Sequence, residues 1–87
     1  MQDVLIRGAM LVDGSGQPAR RADLSLRDGI ITGVGPDAAA SARRVIDAEG
    51  CILTPAWVDI HSHYDGQVTW DEAMEPSAGH GVGTVVM

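Results

Sequence analysis

Residues 55 to 63, Pro55-Ala56-Trp57-Val58-Asp59-Ile60-His61-Ser62-His63, form an apolar strand-like run that ends on two histidines one residue apart. Side chains at i and i+2 of a strand share a face. Alternation therefore puts Trp57, Asp59, His61 and His63 on one side and Val58, Ile60 and Ser62 on the other. Two imidazoles emerge together at the carboxyl end of such a strand, which is where catalytic groups gather in a parallel barrel. This is half of a metal site, because zinc takes three or four ligands and the one further histidine, His80, lies in a separate segment. A solvent-exposed or hydrogen-bonded pair is the competing reading of His-x-His; its place after a Pro-initiated apolar run favours metal.

The chain before this run has a different character. Val4 to Gly8 and Ala9 to Asp13 are β-rich runs, broken off by the loop Gly14-Ser15-Gly16-Gln17-Pro18. From Arg21 to Arg27 polar and apolar residues alternate, which predicts Ala22, Leu24 and Leu26 on one buried face. Asp28-Gly29 is a hairpin signal before Ile30 to Val34. The stretch from Pro36 to Arg44 is compatible with a helical turn or a loop. Val45 to Ala48 and Cys51 to Leu53 flank Glu49-Gly50, which predicts another tight hairpin, with Cys51 as a small buried hydrophobe in a strand. The change to a longer apolar strand at Thr54-Pro55 marks a domain boundary. Beyond the histidines, Pro76, Gly79 and Gly81 limit any helix between 66 and 80 to a short one, and Gly83-Thr84-Val85-Val86-Met87 is a β-branched run. A chain stopping inside a buried strand leads us to expect a segment of something longer.

Composition narrows the class. Hydrophobic residues make up 45% and charged residues 21% of the 87, which is globular rather than disordered chain. Six arginines and no lysine stand scattered against twelve acids, giving a formal charge of -6, so there is no basic stripe for a nucleic-acid backbone. No apolar run has the length of a membrane span and no secretory leader is visible, so no nucleic acid and no membrane are expected as partners. A single cysteine rules out an intrachain disulfide and agrees with a cytoplasmic location.

The series of short strands followed by Ile52-Leu53-Thr54-Pro55-Ala56-Trp57-Val58-Asp59-Ile60-His61-Ser62-His63 resembles the amino-terminal part of metal-dependent amidohydrolases. The continuation His63-Tyr64-Asp65-Gly66-Gln67-Val68-Thr69-Trp70-Asp71, with His80-Gly81-Val82 before Thr84-Val85-Val86-Met87, is similar to the N-acyl-D-amino-acid deacylase branch. The resemblance implies a β-sandwich segment followed by the start of a (β/α)8 TIM-type barrel. Residues 1–54 would be the amino-terminal part of the small sandwich and 55–87 the first two barrel strands. It implies His61 and His63 as metal ligands, one or two zinc ions, and a small-molecule amide as substrate. It also implies that a further cysteine ligand, later histidines and a general-base aspartate lie outside these residues, so that the 87 residues alone are inactive. Ala56 stands where the family has glycine, and Gly79 and Gly83 stand where the deacylases tend to have an aromatic residue and a threonine, changes that imply lost packing beside the second strand.

Other residues keep two readings each. Asp59 faces the histidines as a candidate hydrogen-bond partner of an imidazole or as a plain buried hydrogen-bonding group. Asp65 either steers His63 or caps a loop. Tyr64 and Trp70 either line a substrate pocket or pack at a rim, and His80 is read as structural. Three alternatives to the deacylase stand beside it: a non-catalytic β module or remnant, a split enzyme, and another amidohydrolase such as a cyclic-amide hydrolase.

Overall fold

A computed structural model describes residues 1–87, which divide into two compact units, Met1–Pro55 and Ala56–Met87. The first unit is a five-stranded mixed sheet. Strand β1 (Gln2–Leu11) lies at its centre, β2 (Arg20–Arg27) and β3 (Ile30–Val34) follow on one side, and β4 (Ala42–Asp47) and β5 (Ile52–Leu53) share the other edge of β1.

The two β-rich runs at the amino terminus are a single strand with a bulge. The β1/β2 register slips between Ile6 and Ala9, where Gly8 takes a φ of 76° and gives its N–H to Asp23 Oδ1 at 2.9 Å. One extra residue in β1 reverses its alternation. Ile6 and Leu11 consequently line the same open apolar groove, about 420 Å³ in volume, with Leu24, Leu26 and Leu53. The alternation of β2 is as the sequence predicts, with Ala22 and Leu24 buried. On its opposite face Ser25 is 1% exposed, and its hydroxyl is satisfied by Thr32 Oγ1 at 3.1 Å and the Ala39 N–H at 3.2 Å. Asp28 and Gly29 both take positive φ, 52° and 76°, as a type I′ hairpin turn requires.

The expected hairpin at Glu49-Gly50 does not form. Strands β4 and β5 both run parallel to β1, against its residues 2–7 and 10–11 respectively, so the unit is mixed rather than mainly antiparallel. The ten-residue β1 has an edge long enough for both, and the chain only steps outward between them. Ala48 donates to the Arg7 carbonyl, the Cys51 N–H closes the turn on Ala48, and Met10 then donates to the Cys51 carbonyl. Cys51 therefore precedes β5 with an exposed side chain, and the reading of it as a buried strand residue is corrected. The stretch from Pro36 to Arg44 resolves into a 3₁₀ turn at Gly35–Asp37 and the start of β4.

The second unit holds a two-stranded parallel sheet, β6 (Trp57–Asp59) with β7 (Val82–Val85), paired Trp57 to Val82, Val58 to Thr84 and Asp59 to Val85. The parallel pairing is the one that the barrel implied by the resemblance requires; a crossover joins the two strands, as it must in any parallel pair. That crossover contains 3₁₀ turns at Gln67–Thr69 and Ala78–His80. Strand β6 is shorter than the expected 57–62. Asp59 Oδ1 accepts the His61 N–H at 3.0 Å, a local turn that competes with the strand ladder and ends it. No helix in the chain is long and apolar enough to cross a membrane.

Candidate metal centre

The histidines stand just past the end of β6, and a turn rather than strand alternation sets their direction. Ser62 between them is bound twice to β7's end, its N–H to the Val86 carbonyl at 3.1 Å and its hydroxyl to the same oxygen at 2.9 Å. In return Val86 gives its N–H to the Asp59 carbonyl at 2.8 Å. With Ser62 turned to β7, both imidazoles are left exposed and close together, ring centroids 5.0 Å apart and planes at 73°.

Asp59, at the end of β6, spends its Oδ1 on the His61 backbone rather than on a ring nitrogen. Asp65 is exposed. Tyr64 is buried, and its hydroxyl meets Ser77, whereas Trp70 is 73% exposed. His80 ends the 3₁₀ turn ahead of β7, and Cys51 belongs to the other unit. No group of three or more His, Cys, Asp or Glu side chains comes together. Two neighbouring imidazoles are a donor set that zinc accepts, and in number they are half of such a site.

A second polar cluster braces the crossover. Asp71 accepts Gln67 Nε2 at 2.6 Å and the N–H groups of Ala73, Met74 and Glu75. The Gln67 hydrogen bond first, and those backbone donors after it, hold the Asp71 carboxyl below its ordinary value. Sequence reasoning missed this cluster and the Tyr64–Ser77 contact. Short polar residues spread over a loop carry no period, whereas the opposite-face placement of Ser62 was a usable signal.

Residues 44–87 match the model of the amidohydrolase family. The N-acyl-D-aspartate deacylase of Alcaligenes xylosoxydans xylosoxydans is 44% identical over 84 residues, which is 97% of this chain and 17% of that protein. A zinc- and phosphonate-bound N-acyl-D-glutamate deacylase of Bordetella bronchiseptica superposes with a TM-score of 0.85 at 38% identity, over 97% of this chain and 18% of its own. A D-aminoacylase studied for its binuclear metal centre gives 0.87 at 36% identity, over 98% and 18%. The chain thus spans about a sixth of the length of the relatives it matches.

Proposed function

The chain belongs to the amidohydrolase family, and from that premise we propose that it is the amino-terminal part of a metal-dependent hydrolase of linear amides, with N-acyl-D-amino acids as substrates. The observation that carries this reading is the pair of imidazoles, 5.0 Å apart, at the carboxyl end of a strand paired in parallel with the next. Residues 1–54 are then a sandwich segment, and 55–87 the first two strands of a (β/α)8 barrel. A barrel of that kind takes about 250 residues, so the chemistry needs more chain than these 87.

In this reading His61 and His63 are ligands of one or two zinc ions and move no protons. When bound, zinc supplies Lewis acidity toward the amide. Asp59 holds the turn that aims His61, and Ser62 fixes the backbone between the two ligands on Val86. The lone, exposed Cys51 supports a reducing, cytoplasmic location.

The test uses the protein at the length of its relatives. His61→Ala and His63→Ala should each lower bound zinc, by elemental analysis after dialysis, and abolish most hydrolysis of N-acetyl-D-amino acids. Variants with wild-type zinc and turnover would overturn the reading. The 87-residue chain alone, with two ligands, should retain zinc poorly under the same dialysis.

A further inference from the structure

Tyr64 follows His63 directly and is the most buried side chain of Ala56–Met87, at 8% exposure. A ring packed only for its apolar area would do as well as phenylalanine, since a buried hydroxyl costs free energy unless it is bonded. This hydroxyl is bonded several times over, and always to one segment. It lies 2.7 Å from Ser77 Oγ, accepts the Ser77 N–H at 3.2 Å, and reaches the Met74 carbonyl at 3.4 Å.

That segment is itself held firmly. The Ser77 carbonyl accepts the N–H of Val82, the first residue of β7, at 3.1 Å, and that of His80 at 3.0 Å. Asp71 caps Ala73, Met74 and Glu75, and Gln67 Nε2 ties Asp71 to the Glu75 carbonyl at 2.6 Å. The histidine turn is therefore anchored on both flanks of His63: Ser62 on Val86, past the end of β7, and Tyr64 on Ser77, ahead of its start. Two anchors one residue away on either side restrain the backbone of His63 and so the direction in which its Cα–Cβ bond leaves the turn, although the imidazole is exposed.

We propose that Tyr64, through its hydroxyl contact with Ser77, is the positioning residue that holds His63 in its metal-ligating direction, an inference that rests on the metal reading above. The Asp71–Gln67 brace makes the Met74–Ser77 segment a firm support for that contact. Tyr64 touches neither metal nor substrate; it acts only through the neighbouring backbone.

The experiment measures zinc affinity by chelator competition and the visible spectrum of the cobalt-substituted protein, at the length of the relatives, for wild type, Tyr64→Phe, Ser77→Ala and the double variant. Misplacing one ligand should weaken zinc about tenfold in Tyr64→Phe and alter the cobalt bands, on the scale of lost ligand-orienting contacts. Ser77→Ala should do less, because the phenol keeps the Ser77 N–H, and the double variant should match Tyr64→Phe. A Tyr64→Phe protein with lowered melting temperature but wild-type affinity and spectrum would overturn the proposal, leaving Tyr64 as packing. Should Tyr64→Phe fail to fold, Ser77→Ala decides, and an unchanged cobalt spectrum there overturns it too. Wild type that binds no zinc sinks the metal reading first and this inference with it.

Discussion

The two units are held together by different means. In Met1–Pro55 a sheet buries Leu5, Ala9, Leu11, Ala22, Leu24 and Ala48, each at 9% exposure or less, around a ten-residue central strand. In Ala56–Met87 only Tyr64 is buried to that degree, while Trp57, Val58, Ile60 and Trp70 are 58–80% exposed. Order in the second unit comes from side chains that hydrogen-bond to backbone: Ser62 to Val86, Asp59 to His61, Asp71 to three successive amides. Apolar burial gives non-directional stability, whereas such bonds add little net free energy each but fix geometry. The candidate ligands sit in the unit that is precise without being well buried.

The largest expected effect separates the two units through their cores. Leu5→Ala removes a side chain that is 3% exposed and should cost about 2–4 kcal/mol. Amide exchange in β1 and β2 should then rise by more than tenfold. Trp57→Ala, at a residue 61% exposed, should cost under about 1 kcal/mol and change exchange only near β6. Comparable losses for the two variants in the 87-residue chain would break the contrast.

Two glycines sharpen it at the next level down. A Cβ on Gly33 would come within 2.9 Å of the Ala38 Cα, a backbone atom, so Gly33→Ala must push β3 and the following turn apart. A Cβ on Gly83 would meet the Ala56 Cβ at 2.6 Å. Gly83 therefore does not leave lost packing beside β7, because the methyl of Ala56 already occupies that space. Both Gly33→Ala and Gly83→Ala should destabilise by about 1–3 kcal/mol. Ala56→Gly should rescue Gly83→Ala and leave Gly33→Ala untouched, as a double-mutant cycle in thermal unfolding would show. Absence of rescue would mean that β6 and β7 yield by moving apart.

What was legible in the sequence was local. The alternation along β2 and the Asp28-Gly29 turn follow from rules acting over two to four residues; the turn holds, and the buried face holds for Ala22 and Leu24, while Leu26 is half-buried and Ser25 on the other face is buried as well. The parallel pairing, observed for 57–59 with 82–85, was not legible in that way: it was expected only from the barrel that the family resemblance implies. The hairpin at Glu49-Gly50 failed because the edge of β1, some forty residues earlier, offered both strands a partner. Likewise period-2 reasoning extended β6 to 62, but the Asp59 carboxylate captured the His61 amide and bent the chain out of the ladder. The two imidazoles end up together all the same, since Ser62 takes the opposite direction in the turn as it would in a strand.

A smaller effect tests the corrected place of Cys51. With its side chain exposed and only its backbone engaged in the step between β4 and β5, Cys51→Ser should change stability by no more than about 0.5 kcal/mol. The buried-hydrophobe reading expects a larger loss. Rapid labelling of the native chain by a thiol reagent checks the same point independently.

The smallest effect is acid dependence, and it also divides the units. Asp13 accepts the Ser15 hydroxyl and N–H and pairs with Arg20 at 3.2 Å, and these partners, the Ser15 hydroxyl first, lower its pKa from 3.8 to about 2. Asp71 is lowered as well, chiefly by Gln67. A carboxyl whose folded pKa lies below its unfolded value stabilises the fold above the unfolded value, and that contribution disappears as the pH falls through the folded one. Nothing should change from pH 7 down to about 5, with both groups ionised. Below about 4 the two units should part, because protonated Asp13 loosens only the exposed loop Asp13–Gln17 and the Arg20 side chain at the start of β2, whereas protonated Asp71 weakens its bonds to the amides of Ala73, Met74 and Glu75. Amide shifts of those three residues should move in acid while those of β1 and of residues 21–27 stay fixed, and Asp71→Ala should move the same three amides at pH 7. Movement of β1 ahead of the 73–75 amides would show that the polar bracing of the second unit outlasts the core of the first.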